Sequence, residues 1–250
     1  MIDWVMDSSH WLGEEGAITL IMQHVVFSVI TLGLSLVIAF PVGCYVGHTG
    51  RGRVALVGLA NALRALPSFG LIILLVILCG PLFESDLAFI VPCLVVLMVL
   101  ALPPIMVGVY SGITAIDPAV IDAAIGIGYS PWRRLLLVEI PCALPLILSG
   151  VRSALLQIIS TATIAAYVSL GGLGRLIIDG RAQNDYPQMV AGAVLVALLA
   201  LVTDCLFILL IRYFVSPGLL RRSAKVTMSQ RNQPHSQTPF SSTTLGEPEK

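Results

Sequence analysis

Long apolar segments that lack charged residues constrain this sequence more than any other feature. Residues 17–47 contain no Asp, Glu, Lys or Arg. Inside a bilayer every backbone N–H and C=O must be satisfied within its own segment, so a crossing takes a helix of about 20 apolar residues. Of the 250 residues, 57% are hydrophobic and only 11% are charged, which lies outside the usual range of soluble domains. The sequence therefore predicts an all-α protein that crosses a membrane several times.

Five segments are long and apolar enough to be transmembrane helices. They are residues 17–47, 59–82, 87–109, 144–168 and 188–211. Pro67 predicts a kink in the second span, and we expect the third and fourth spans to be bent or broken as well. Such residues are tolerated in membranes where neighbouring helices satisfy the freed backbone groups. The five spans should therefore pack as a bundle.

The positions of Lys and Arg predict which ends of the spans face the cytoplasm, because cytoplasmic loops carry an excess of both. With the N-terminus outside, 11 of the 14 basic residues fall in cytoplasmic segments. These are Arg51, Arg53, Arg64, Arg133, Arg134, Arg212, Arg221, Arg222, Lys225, Arg231 and Lys250. We predict an extracytoplasmic segment over residues 1–16 and a membrane domain over residues 17–215. Residues 216–250, rich in Ser, Thr, Gln and Pro, are predicted to be a disordered cytoplasmic tail.

Composition and motifs argue against several other classes of protein. The formal net charge is zero, so no nucleic-acid partner is indicated. The five cysteines are dispersed without a C-x-x-C pair, which predicts neither a metal site nor a disulfide framework. His24 and Ser28 stand one helical turn apart and suggest an enzyme, but no Gly-x-Ser-x-Gly sequence accompanies them. No phosphate-binding Gly-x-x-x-x-Gly-Lys is present either, so we expect a chain that is not an enzyme and does not hydrolyse ATP.

The segment between the third and fourth spans, residues 117–141, carries the strongest local pattern. Asp117 is a good N-cap with Pro118 in the first helical position, and Gly126 or Gly128 can supply a left-handed C-terminal residue. Ser130-Pro131 repeats the N-terminal signal. The segment therefore predicts two short helices, the second of which ends at Pro141 where the fourth span begins.

The centre of the first short helix has almost no side-chain bulk, because Ala123 and Ala124 stand there. Another protein could therefore approach the backbone of this helix closely. The alternative is an ordinary amphipathic loop that holds Trp132 and the neighbouring Arg133 and Arg134 at the lipid headgroups.

The spacing of this segment resembles the EAA motif of ABC importer permeases, in which Glu-Ala-Ala is followed by a glycine and then by Ile-x-Leu-Pro. The matching residues are Asp122, Ala123, Ala124, Gly128, Val138, Ile140 and Pro141. Asp stands for Glu, Val for Ile and Ile for Leu, so each departure keeps the character of the side chain.

The resemblance implies the fold of a type I ABC importer permease in a bacterial plasma membrane, with about five transmembrane helices and a cytoplasmic coupling helix. That helix would dock on a cytoplasmic ATPase, which would hold ATP and Mg²⁺, and this chain would bind no cofactor. The resemblance also implies an extracytoplasmic solute-binding protein. Five spans are too few to enclose a path, so a second permease copy or a paralogue is expected.

Further segments resemble in particular the permeases for quaternary-ammonium osmoprotectants such as glycine betaine, choline, carnitine and proline betaine. They are residues 63–68, 150–152, 161–163 and 171–174. Family members often have small residues before Gly-Gly-Leu-Gly, whereas Ser169-Leu170 stand there in this chain. The solute therefore stays open, and an amino acid or another small polar solute is the alternative.

Four further charged residues are candidates for a functional role. Arg152 and Asp204 could form an ion pair inside the membrane, or Arg152 could reach the cytoplasmic interface and only anchor its helix. Arg175 and Arg181 lie in the one sizeable exterior loop, residues 171–187. By resemblance this loop would face the solute-binding protein, but its charges could equally just keep it in water.

Pro67-Ser68, Thr161 and Thr163 are small or polar residues within apolar helices. Such residues usually mediate helix packing in membranes. Lining of a translocation path is the other interpretation.

Overall fold

The computed structural model describes residue 4 and residues 7–13, 15–83, 86–168 and 170–214, and its regular structure in these ranges is helical. The helices are α1 (Ala17–Thr49), α2 (Arg53–Ala65), α3 (Ser68–Cys79), α4 (Leu87–Thr114), α5 (Pro118–Gly126), α6 (Pro131–Arg134), α7 (Ile140–Ala165), α8 (Gly174–Gln183) and α9 (Tyr186–Phe214). The predicted tail, residues 216–250, lies outside the described residues.

The number of long apolar helices agrees with the predicted spans. α1, α4, α9 and the rod formed by α6 and α7 are each long and apolar enough to cross a membrane. α2 and α3 would make a fifth crossing if they count as one broken span. The expectation of an all-α polytopic membrane protein is therefore confirmed.

The second predicted span is broken into two helices at Pro67, and the angle between them is larger than that of the kink we expected. α2 and α3 meet at 86° across Leu66 and Pro67. Pro67 has no N–H to donate, and its ring excludes the residue before it from the helical region. Leu66 accordingly takes an extended conformation, with φ −69° and ψ 133°.

The third and fourth predicted spans, which we expected to be bent or broken, are not broken at their prolines. α4 runs uninterrupted through Pro92, Pro103 and Pro104, because Pro92 and Pro103 are buried against neighbours whose packing outweighs the lost hydrogen bonds. The predicted helix end at Pro141 is also wrong. Residues Leu135–Glu139 form a π-helical turn that joins α6 to α7 without a break. The wider turn just before Pro141 gives its ring the room that an α-helical turn lacks.

The predicted exterior loop, residues 171–187, is largely helical, since it contains α8. Arg64 stands at the C-terminal end of α2, next to the break. It borders a cavity together with Leu100 of α4 and Ser153 of α7, both near the midpoints of their helices.

Two sets of contacts show which segments lie at each end of the bundle. At one end Ala17, at the start of α1, is buried together with Leu176 of α8 and Ala191 of α9. At the other end His48, in the last turn of α1, contacts Glu139 of the segment 117–141. The start of α1 and that segment therefore lie at opposite ends, as the predicted orientation requires.

α4 and α7 cross in direct backbone contact at Gly108 and Gly150. A Cβ on Gly150 would lie 2.7 Å from the carbonyl oxygen of Pro104, and one on Gly108 would lie 2.8 Å from the Cα of Gly150. Neither position has room for a side chain. Small residues at a crossing allow this approach in membranes, where van der Waals packing replaces hydrophobic driving force.

Replacing Gly150 with Ala should therefore force α4 and α7 apart. We expect a loss of about 1–3 kcal/mol, measured as a lower Tm of the detergent-purified protein. Gly33→Ala in α1 is the matched control, because a Cβ there meets nothing within 4 Å. Equal Tm values for the two variants would contradict the close crossing.

Candidate functional site

The N-terminus of α5 is capped as its sequence predicts. The Oδ1 atom of Asp117 accepts a hydrogen bond from the backbone N–H of Ala119 at 2.9 Å. Pro118 fills the first helical position, where its missing N–H removes no intrahelical hydrogen bond. These two residues fix where α5 begins, immediately after the end of α4.

The C-terminus of α5 is a Schellman motif centred on Gly128. The N–H of Gly128 donates to the carbonyl of Ile125 at 2.9 Å, and the N–H of Tyr129 donates to the carbonyl of Ala124 at 3.1 Å. Gly128 has φ +86°, in the left-handed region that favours glycine. Of the two glycines proposed as the C-terminal residue, the structure therefore uses Gly128, while Gly126 stays in the helix.

The outer surface of α5 has little side-chain bulk at its centre and exposed apolar side chains towards its C-terminal end. Asp122 and Ala123 are exposed, whereas Ala124 is buried, so only one of the two alanines faces outward. Beyond them Ile127 is 72% exposed and Trp132 is 75% exposed. The helix thus offers a close backbone approach next to apolar side chains at one end of the bundle.

A buried carboxylate, Glu139, fixes the base of this segment, although no capping or motif position in the sequence marks it. Glu139 is 3% exposed, and its two oxygens contact His48 Nδ1 and Arg134 Nε, each at 2.7 Å. Since a carboxylate can only accept, His48 Nδ1 carries the hydrogen in this contact. A buried charge with two donors of this kind is compensated. Glu139 therefore ties the end of α1 to the segment that carries α5.

The remaining residues of the motif belong to the junction between α6 and α7. Val138 lies in the π-helical turn and is half-buried, as is Ile140 at the start of α7. Pro141 follows and is exposed. The motif residues therefore share one structural unit, with Asp122 and Ala123 on its outer surface and Val138 to Pro141 at its base.

Arg152 of α7 and Asp204 of α9 are brought together by the structure. Arg152 Nε donates to Asp204 Oδ1 at 2.5 Å, and Nη2 donates to Oδ2 at 2.6 Å. The contact is bidentate, the strongest geometry for these two groups. The side chains are 33% and 23% exposed, so the pair sits at the side of the bundle and links two apolar helices.

Arg175 and Arg181 lie on α8 but do not share a face. Six residues on a helix place them roughly 120° apart around its axis. Arg175 donates to Asp179 at 2.9 Å within the same helix, and Arg181 is exposed. They are therefore two separate surface charges at the end of the bundle where α1 begins.

His24 and Ser28 do not form a catalytic pair. The hydroxyl of Ser28 donates to the backbone carbonyl of His24 at 2.7 Å. Nδ1 of His24 accepts from the N–H of Leu173 at 3.3 Å, which leaves the hydrogen on Nε2, 3.1 Å from the carbonyl oxygen of Ile159. Both ring nitrogens are occupied in the neutral form, and the ring holds the turn before α8.

The two threonines of α7 make contacts that suit helix packing. Thr163 donates to the carbonyl of Ile159 at 3.0 Å. Thr161 is buried and contacts Gln157 Nε2 at 3.2 Å. Ser68, in contrast, lines a cavity together with Arg64.

The Arg152–Asp204 pair predicts a specific pattern of stability in variants. Asp204→Asn should lower the Tm, because an unpaired arginine among apolar helices costs about 2.5–3.5 kcal/mol on insertion scales. Arg152→Asp should do the same, and the exchange of both charges should recover much of the loss. The exposed pair of Arg175 and Asp179 is the control, whose disruption should cost at most about 0.5 kcal/mol. A double exchange no more stable than either single variant would refute the pairing as a stabilising contact.

Comparison with known proteins gives concordant matches. Residues 35–221 match the family model described as binding-protein-dependent transport system inner membrane component. The chain is 30% identical to the glycine betaine/carnitine/choline transport system permease protein OpuCB of Bacillus subtilis, over 79% of this chain and 88% of that protein. It is 32% identical to the osmoprotectant import permease protein OsmW of Salmonella typhimurium, over 80% of this chain and 94% of that protein.

Among solved structures, the fold is similar to a chain of the MetNI methionine ABC transporter in an inward-facing conformation. The TM-score is 0.69 at 20% sequence identity, with 80% of this chain and 96% of that chain covered. At this identity the similarity concerns the fold alone.

Proposed function

The chain belongs to the family of binding-protein-dependent transport system inner membrane components, and from that membership we propose that it is the permease subunit of an ATP-driven importer for quaternary-ammonium osmoprotectants. It is a membrane-spanning transporter subunit. Residues 117–141 form its coupling segment, which docks on a separate cytoplasmic ATPase. ATP and Mg²⁺ bind to that ATPase, and this chain binds no cofactor.

The single observation that carries the coupling role is the capped and anchored helix α5. Its Asp117 cap and Gly128 turn hold the helix in one conformation, and exposed Ala123 leaves room for a partner to approach. Glu139 ties the base of the segment to the end of α1. A force applied to α5 is therefore passed to the transmembrane helices, rather than absorbed by a flexible loop.

The proposed orientation has the N-terminus outside and the C-terminus in the cytoplasm of a bacterial cell. Two observations support it. The segment 117–141 and the Arg51–Arg53 pair lie at the end opposite the start of α1, and without Arg64 ten of the 14 basic residues still fall on the cytoplasmic side. Arg175 and Arg181 then lie outside, where we propose that they contact the solute-binding protein.

A second permease, a copy or a paralogue, completes the transporter. One chain presents about five crossings, too few to enclose a path. In alternating access a solute enters a cavity between two such units, and closure driven by ATP reorients them. The bundle therefore works as one half of a dimer.

The proposed solute class rests on the relatives. OpuCB is named for glycine betaine, carnitine and choline, and OsmW for osmoprotectants. Both matches span most of each chain. An amino acid or another small polar solute is the second candidate, because Ser169-Leu170 stand before Gly-Gly-Leu-Gly where osmoprotectant permeases often have small residues.

The docking role of α5 is tested with Ala123→Trp, which places bulk on the outer surface of the helix without filling the bundle. We expect much less co-expressed ATPase subunit to co-purify with the permease, because overpacking costs about 1–3 kcal/mol at such a contact. Ala182→Trp is the matched control, since Ala182 is exposed on α8 at the opposite end. Undiminished co-purification of the Ala123→Trp variant would contradict docking through α5.

The solute class is tested by radiolabelled uptake in a strain that lacks this gene and in the same strain with the gene restored. Glycine betaine, choline, proline and methionine are supplied at high and low osmolarity. We expect the gene to raise uptake of at least one quaternary-ammonium solute. Unchanged uptake of the first three removes the osmoprotectant assignment, and gene-dependent methionine uptake favours the second candidate.

A further inference from the structure

A polar cavity lies on the side of the bundle where the second span is broken. Its volume is about 430 Å³, within the range of small-molecule sites. Its polar lining comes from Arg64 and Ser68 on either side of the break and from Ser153 and Gln157 on α7, with Leu100 and Pro104 of α4 as an apolar wall. Helices α2, α3, α4 and α7 thus all contribute to it.

The cavity lies near the middle of the bundle's depth. Leu100 stands near the midpoint of α4 and Ser153 near the midpoint of α7. Because these two helices span the bundle from end to end, residues at their midpoints are far from both membrane surfaces. Arg64 borders the same cavity, so this residue lies at that depth of the bundle rather than at the end where α2 begins.

Arg64 is exposed on the chain, and among the described residues no carboxylate pairs with it. Arg152 is the contrast, since Asp204 neutralises it across the helix interface. A charge at this depth is rarely left against lipid, and broken helices are tolerated only where they are covered by protein or line a water-filled cavity. The broken span and the unpaired guanidinium therefore indicate a hydrated surface.

A row of polar residues on α7 continues from the cavity. Ser149, Ser153, Gln157 and Ser160 are all exposed, and their spacing of four, four and three residues puts them on one face. The exposed large residues of α9 between Val190 and Leu209 are instead apolar. The bundle thus carries a row of polar side chains on α7 that passes the cavity, whereas the exposed surface of α9 is apolar and compatible with lipid.

We propose that this cavity is a solute subsite on the translocation path and that Arg64 binds the carboxylate of a zwitterionic solute. The proposal rests on the permease function proposed above. Arginine presents a planar fork of donors that matches a carboxylate. The hydroxyls of Ser68 and Ser153 and the amide of Gln157 supply hydrogen bonds in place of those that the solute made with water. The same guanidinium repels a solute that carries only a positive charge. Arg64 therefore favours zwitterions with a carboxylate over simple quaternary ammonium cations.

The test uses the complete transporter and compares glycine betaine, which has a carboxylate, with choline, which has none. Arg64→Gln should reduce glycine betaine uptake about tenfold, as expected for loss of a charge-assisted contact, and leave choline uptake unchanged or higher. Arg64→Lys keeps the charge and should retain an intermediate rate for glycine betaine. Arg53→Gln is the matched control, because Arg53 is an exposed arginine at the other end of the same helix.

The outcomes separate this proposal from the proposed function. If the unaltered transporter carries neither solute, the osmoprotectant function fails and the subsite falls with it. If it carries glycine betaine but Arg64→Gln does not lower that uptake, or lowers both solutes equally while the ATPase still co-purifies, the subsite is refuted and the permease function stands. Should Arg64→Gln fail to assemble, equal retention of the two solutes in Arg64→Lys refutes the subsite.

Discussion

The backbone contact between Gly108 and Gly150 sets the geometry on which the rest of the bundle depends. It brings α4 and α7 together so closely that neither glycine has room for a Cβ. The coupling segment is the connection between these two helices, and the polar cavity is walled by their central residues. Both of the regions proposed to be functional therefore adjoin this closely packed pair of helices.

The ionisable groups Glu139, Arg152 and Arg64 differ in whether a charged partner contacts them among the described residues. Glu139 is buried with two basic partners, and Arg152 is matched by Asp204. These ionisable groups are compensated, so they stabilise one arrangement of helices. Arg64 has no such partner among the described residues and faces a cavity. The contrast supports a static role for the pairs and a role in solute binding for Arg64.

Local sequence signals predicted the coupling segment well, because caps and turns depend on residues close in the chain. Asp117 caps α5 and Gly128 closes it, as their residue types require. The same reasoning failed at Pro141, where a π-helical turn carries the helix through the proline. It also missed Glu139, although this is the one charged residue in the apolar run from 135 to 151. A carboxylate in such a run is a usable signal of a buried ion pair, but its partners are not visible locally.

The sequence by itself determined the all-helical membrane fold, the approximate spans and the first short helix of the segment 117–141, since each follows from apolar length or from neighbouring residues. Only the tertiary structure decided which distant residues meet. His48 and Glu139 are 91 positions apart, and Arg152 and Asp204 are 52 apart. The 86° break at Pro67 and the glycine crossing together put Arg64 beside the centres of α4 and α7. Such distances depend on how helices pack against one another, and a pattern read along one helix carries no information on that.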